Sequence, residues 1–181
     1  MIDEVTRTLV EVLETRSGLD PGWVEVSSLE GDATLTANKL HLCLYAIDEH
    51  PHLRNARMVT TPDGYERAPL GVRLSYVVTY NGTEHLEEQT RLARVVQVFH
   101  TVPILGPELL RPALVPLVEK LTVRLYSPSP DERTGLWTAY ERGLRLSLYY
   151  QVDVVLLSLL EREGHGVVRE HRLHYSSEGR P

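Results

Sequence analysis

The chain has 181 residues, 42% of them hydrophobic and 24% charged, a balance ordinary for one soluble domain long enough to bury a core. Its formal net charge of −6 argues against a general nucleic-acid binder, which needs a basic field to neutralise phosphates. The single cysteine, Cys43, rules out an internal disulfide framework and a cysteine metal site.

The N-terminal stretch alternates charged and apolar residues and lacks the uninterrupted apolar core of a signal peptide, which predicts a protein that stays in the cytoplasm. Ile2, Val5, Leu9, Val12 and Leu13 recur at helical spacing until Ser17-Gly18 and Asp20-Pro21-Gly22 end the pattern. This amphipathic helix needs a sheet to lie on. A short strand at "WVEVSSL" precedes "KLHLCLYAIDEH", where Leu40, Leu42, Leu44 and Ala46 share one face and His41, Cys43, Tyr45 and Ile47 the other. Both faces are largely apolar, so the strand is placed centrally. Residues 49–68 are polar and broken by Pro51 and Pro62-Asp63-Gly64, which predicts a long excursion available for contacts.

In "PLGVRLSYVVTY" the residues Leu70, Val72, Leu74, Tyr76, Val78 and Tyr80 alternate inward, and Asn81-Gly82 then turns the chain. The second helix carries Glu84, Glu87 and Glu88 near its positive end, with Leu92, Val95, Val96 and Phe99 as its buried stripe. Four prolines from Pro103 to Pro116 limit any helix in that region to short pieces. After the strand in "KLTVRLY", a third helix starts on Ser129 as cap, with Pro130 in the first turn and Glu132 three residues after the cap. Trp137 and Tyr140 lie on it and are assigned to packing in preference to ligand stacking.

The segment "RLSLYYQVDVVLLSLLE", residues 145–161, has one wholly apolar alternate set, Leu146, Leu148, Tyr150, Val152, Val154 and Leu156. The other set begins with Ser147, Tyr149, Gln151 and Asp153 and ends with Val155, Leu157 and Leu159, so this strand is predicted half-exposed at first and covered on both sides later. Its cover is protein, either the helix at 84–100 or another subunit, because Gln151 and Asp153 interrupt a run shorter than the ~20 apolar residues of a membrane span. The last strand places Val167, Arg169, His171 and Leu173 on one side and Val168, Glu170, Arg172 and His174 on the other. Neither side suits a sheet centre, so it is expected at an edge. The fold class is therefore α+β, a mainly antiparallel sheet with helices packed on one face. One domain is expected over 1–175, with a polar C-terminal tail over 176–181. Trp137, Tyr76, Tyr80, Phe99 and Tyr150 are its expected structural core.

The chain carries no phosphate-binding GxxxxGK[ST] loop, no GxGxxG and no GxSxG nucleophile elbow. Its metal-like features are His50 and His52 beside Asp48, and His171 with His174. The first group is read as a polar strand end running into a loop, with a divalent-metal site of Asp48, His50 and His52 as the alternative. The second has spacing that fits a helix better than the strand assigned there. Cys43, inside an apolar alternation, is read as a small core residue and not as a thiol nucleophile. No catalytic residue, metal site or cofactor is assigned.

The segments "LHLCLYAIDEHPHLRN", "APLGVRLSYVVTYN", "EHLEEQTRLARVVQVFHTVPIL" and "LTVRLYSPSPDERTGLWTAYERGLRLSLYYQVDVVLL", in this order, resemble the cap or tail-terminator proteins of phage-tail-like extracellular contractile injection systems. These are the proteins of the antifeeding-prophage and virulence-cassette particles. The likeness runs from about residue 2 to about residue 160, and its most telling parts are the strand ending in Tyr80, the helix closing on "FHTVPIL" and the pair Leu136-Trp137 leading into "LSLYYQV". None of these is a catalytic motif; the resemblance lies in packing. It implies a structural, non-enzymatic role: a homo-oligomer, a hexameric ring, that caps the inner tube protein at the end distal to the baseplate and engages the last ring of sheath protein. Some such proteins carry further C-terminal domains, and functions housed there are expected to be absent from this chain, which stops at Pro181.

On that reading Tyr149, Val155, Leu157 and Leu159 are candidates for a subunit or tube interface, because a ring subunit is covered where a monomer stays wet. Val167, Arg169, His171 and Leu173 are candidates for a sheath-docking edge that pairs by main-chain hydrogen bonds. The alternatives are a baseplate or tail-completion subunit of the same particle, or a small cytoplasmic enzyme with a metal at Asp48, His50 and His52. No nucleic acid or membrane span is expected.

Overall fold

A computed structural model describes residues 1–30, 35–50 and 71–156, and the backbone of 59–61 and 64–66. In chain order the elements are α1 (Ile2–Arg16), β1 (Val24–Val26), β2 (Leu40–Glu49), β3 (Val59–Thr61), β4 (Gly64–Glu66), β5 (Gly71–Tyr80), α2 (His85–Thr101), β6 (Ile104–Leu105), β7 (Val118–Tyr126), α3 (Pro130–Ala139) and β8 (Ser147–Leu156). Among the described residues six strands form one sheet in the order β1-β2-β5-β8-β7-β6, and β3 pairs with β4 as a separate antiparallel hairpin. Every pairing in the large sheet is antiparallel except β1 with β2. The chain is α+β, and β8, the strand predicted within residues 145–161, is one of the two central ones.

The long helices share one face of the sheet, as the sequence predicts. From α1 come Val5, Leu9, Val12 and Leu13, from α2 come Leu92, Val95, Val98 and Phe99, and they meet Leu40, Leu42, Leu74, Tyr76, Val78, Tyr150, Val152 and Val154 of β2, β5 and β8. Val98 joins the α2 stripe, while Val96 is only half-buried. Phe99 sets its ring edge against Tyr150 at 5.0 Å between centroids, the arrangement that the aromatic quadrupoles favour. The Tyr76 hydroxyl lies 2.8 Å from Thr6 Oγ1, which satisfies both polar groups, and burial pushes its pKa up to about 12. Tyr80 is buried in the same core.

The short α3 adds a layer on the other face. Its start is the expected capping box: Ser129 Oγ accepts from Glu132 N, and Glu132 Oε2 accepts from Ser129 N at 2.6 Å. Trp137 is 1% exposed and packs with Leu29, Cys43, Val77 and Tyr149 in a second, smaller core. Arg142, just past α3, donates to the carbonyl oxygens of Leu29 and Glu30, tying this layer to the segment that follows β1. Cys43 is buried there, and burial raises its thiol pKa, which keeps it protonated and unreactive.

Two departures from the predicted alternation change which residues face the core. A bulge between Leu44 and Ala46 moves Ala46 opposite Ser75 and Ile47 opposite Leu74, so the face assignments predicted for both are exchanged beyond that point. On β8, Leu146 precedes the strand and is exposed, so the apolar face is shorter than the apolar run.

His41 is fully buried on β2. Its Nε2 is 2.9 Å from Thr36 O and its Nδ1 is 3.0 Å from Ser27 Oγ, a set that suits the neutral ring with its proton on Nε2, donated to the carbonyl. Burial is the chief cause that lowers its pKa below the ordinary 6.5. The unfolded chain therefore binds a proton that the folded chain does not, and the stability from this group is present above 6.5 and is lost as pH falls below it. A His41→Gln variant is expected to be less stable at pH 8 but to lose less of its stability than the parent between pH 7 and pH 5, measured by urea denaturation at each pH. Parallel slopes for the two proteins would contradict this.

Candidate interaction surfaces

Among the described residues, the candidate metal ligands do not converge. Asp48 lies exposed near the end of β2, while His50 follows the strand and points its Nε2 at Asp153 Oδ2, 3.5 Å away. His52, His171 and His174 lie outside the described residues. Among the described residues no group of three or more His, Cys, Asp or Glu side chains is placed to hold a metal.

Asp153 is instead the centre of a charge cluster on the α3 side of the sheet. Arg73 Nε donates to its Oδ1 at 2.9 Å, Arg124 Nη2 donates to its Oδ2, and the residue is only 8% exposed. The strand order explains the meeting, because Arg73 and Thr122 are its cross-strand partners on β5 and β7 and Arg124 is two residues along from Thr122. Alternation in the sequence assigns this carboxylate to water. It is buried because the arginines from both neighbouring strands compensate its charge.

Of the four candidates for a subunit or tube interface, Tyr149, Val155, Leu157 and Leu159, two are described. Tyr149 is 4% exposed, and its hydroxyl accepts from Trp137 Nε1 at 3.0 Å, so α3 of the same subunit already covers it. The α2 helix, the other expected cover, lies on the opposite face. Val155 is half-buried on the same side as Tyr149. Leu157 and Leu159 lie outside the described residues, as do Val167, Arg169, His171 and Leu173.

A surface that the sequence did not single out runs along the outer edge of the sheet. The edge strand β1 and the overhanging helix α1 enclose an open groove of about 1060 Å³, with Ile2, Thr6 and Val10 on the helix side and Val24, Val26 and Leu44 on the sheet side. Val26 is 54% exposed. Its rim carries Asp3, Glu11, Glu14 and Glu25 against Arg7 and Arg111, and Arg111 is already held by Glu4 and Glu11. The signal for it was the alternation of Val24 and Val26 in a strand too short to be central, but only the strand order shows that their outer side is open. A second, polar hollow is lined by Trp23, Lys39, Tyr80 and Arg91; Tyr80 donates to Glu87 and the Arg91 guanidinium lies over the Tyr80 ring at 5.8 Å, while the buried Trp23 Nε1 has no hydrogen-bond partner among the described residues.

No described helix is long and apolar enough to cross a membrane.

Comparison with solved structures finds the same architecture in other proteins. The chain is similar to the PVC sheath/tube terminator of an extracellular contractile injection system in its extended state, with a TM-score of 0.63 and 16% identity over 100% of this chain and 64% of that one. It is also similar to the tube-terminating cap of the anti-feeding prophage, with a TM-score of 0.58 and 17% identity over 97% of this chain and 61% of that one. This chain thus spans less than two thirds of the length of either protein, and at such identities the likeness establishes the fold. No curated protein matches significantly in sequence. The family described as the Pvc16 N-terminal domain matches residues 4–170, nearly the whole chain and both sides of the sheet described above, and the chain belongs to that family.

Proposed function

We propose that this protein is a structural cap of a contractile injection system, a ring, hexameric by the family resemblance, that seats on the distal end of the inner tube and the last sheath ring and ends assembly. The observation that carries this reading is the match of the fold, over 100% and 97% of the chain, to two proteins described as terminators. The reading is non-enzymatic because the proteins that share this fold are described as a terminator and a cap. Its free energy would come from buried area and from the avidity of a closed ring. Val155, Leu157 and Leu159 are proposed as part of the subunit or tube contact, and the segment bearing Val167, Arg169, His171 and Leu173 as a strand that pairs with another chain. Assembly would take place in the cytoplasm, and the finished particle would act outside the cell.

Deleting the gene and imaging the particles tests the proposal. Loss of a terminator is expected to leave tubes and sheaths of irregular, extended length, read as a broadened length distribution in electron micrographs. A strain with few assembled particles of any length would point to a baseplate part instead, and a distribution unchanged from the parent would remove the protein from assembly altogether.

A further inference from the structure

The groove between α1 and β1 has the features of a slot for one more strand. In a parallel pair, alternate residues turn their backbone groups toward the partner and away from it. Leu40 N donates to Trp23 O at 2.8 Å and Ser27 N donates to Leu42 O at 3.2 Å, so Trp23, Glu25 and Ser27 face β2, while Val24 and Val26 face outward. Glu14 of α1 takes the first outward donor: its Oε1 accepts from Val24 N at 2.9 Å and its Oε2 accepts from Gly22 N at 2.6 Å. Beyond that point the carbonyl of Val24 and both backbone groups of Val26 have no partner among the described residues. An edge with open groups in sequence is a template for strand pairing, and here α1 overhangs it, so that an added strand would be covered on one side by Ile2, Thr6 and Val10.

We infer that this slot receives residues 166–174 of a second copy of the chain. The charges match: the rim holds four carboxylates against two arginines, whereas the segment holds Arg169 and Arg172 against the single acid Glu170, with Val167, Val168 and Leu173 as its apolar positions. Its pattern also fits, since the set Val167, Arg169, His171 and Leu173 puts apolar side chains at both ends and basic ones between them. Main-chain hydrogen bonds would supply affinity in the usual manner of strand addition. Donor and acceptor are different surfaces of one chain, the heterologous arrangement from which rings close; in this respect the inference rests on the proposed ring.

The test uses the full chain. Val26→Pro removes the open N–H at an edge position where proline is tolerated and leaves the bonds to β2 in place. Leu173→Asp spoils the donor. Each variant is expected to self-associate at least about tenfold more weakly than the parent in sedimentation velocity, the loss of one to two main-chain bonds or of one apolar anchor. Mixing the two variants should restore a one-to-one pair, because each keeps the half that the other lacks; a misfolded variant cannot do this. Val10→Asp on the helix wall gives a second acceptor variant with the backbone intact. Undiminished association of Val26→Pro and Val10→Asp, or no pairing on mixing, would overturn the inference. A parent that stays monomeric with its Val26 amide protected from hydrogen exchange would overturn it too, placing the segment in its own groove, and protection that appears only on adding sheath protein would assign the slot to sheath. None of these results depends on particle length, so the cap reading stands or falls separately.

Discussion

Trp137→Ala is expected to destabilise the subunit by about 3–5 kcal/mol, the range for removing a buried large aromatic from a core. The indole is 1% exposed and forms the centre of the smaller core with Leu29, Cys43, Val77 and Tyr149, and few of these neighbours can collapse into the space because three of them are fixed on sheet strands. A further part of the loss comes from the Tyr149 hydroxyl, which accepts from Trp137 Nε1 and would remain buried without its donor. Trp137→Phe separates the two contributions: it keeps most of the packing and is expected to cost less than the alanine variant, with about 1–3 kcal/mol arising from the unpaired hydroxyl. Urea denaturation of both variants measures this. An alanine variant with the parent's midpoint would mean that α3 contributes nothing to the folded subunit, contrary to its place over β5 and β8.

Asp153→Ala is expected to destabilise by about 3 kcal/mol, the lower end of what breaking one side of a buried ion pair costs. The lower end applies because Arg124 is half-exposed and can turn its guanidinium into water, whereas Arg73, with its side chain 20% exposed, is held between strands. The Asp153→Asn variant decides whether charge or shape matters. It keeps the size and one acceptor oxygen but leaves both guanidiniums uncompensated, so it is expected to lose most of what alanine loses. Replacing Arg73 by Met together with Asp153→Ala should recover part of the stability, since the pair then leaves no buried charge behind. An asparagine variant as stable as the parent in thermal melts would show that hydrogen bonding alone holds the cluster.

The surfaces through which such a subunit would meet others were less legible in the sequence than its core. Alternation puts Tyr149 among the half-exposed positions of its strand and carries no sign of Trp137, twelve residues earlier in the same chain, whose Nε1 donates to its hydroxyl. Alternation also assigned Asp153 to water, because a carboxylate carries no sign of the arginines that the neighbouring strands will bring to it. The α1–β1 groove went unseen for a related reason: Val24 and Val26 look like any buried alternate pair until the strand order leaves their outer side open.

The sequence by itself determined the local elements. Helical spacing set the inner stripe of α1 and most of that of α2, the Ser129-Pro130-Glu132 signal set the start of α3, and the apolar alternations of β2, β5 and β8 marked them as strands, because these properties depend on neighbours within a few residues along the chain. Tertiary structure alone decided how the elements are disposed. It set α3 on the face opposite the long helices, made β1 a parallel edge, and inserted the bulge between Leu44 and Ala46 that exchanges the faces of the residues after it. Each of these depends on contacts between segments distant in the chain, such as Trp137 on Tyr149 or Arg73 and Arg124 on Asp153. Side-chain periodicity carries no information about which strand lies beside which.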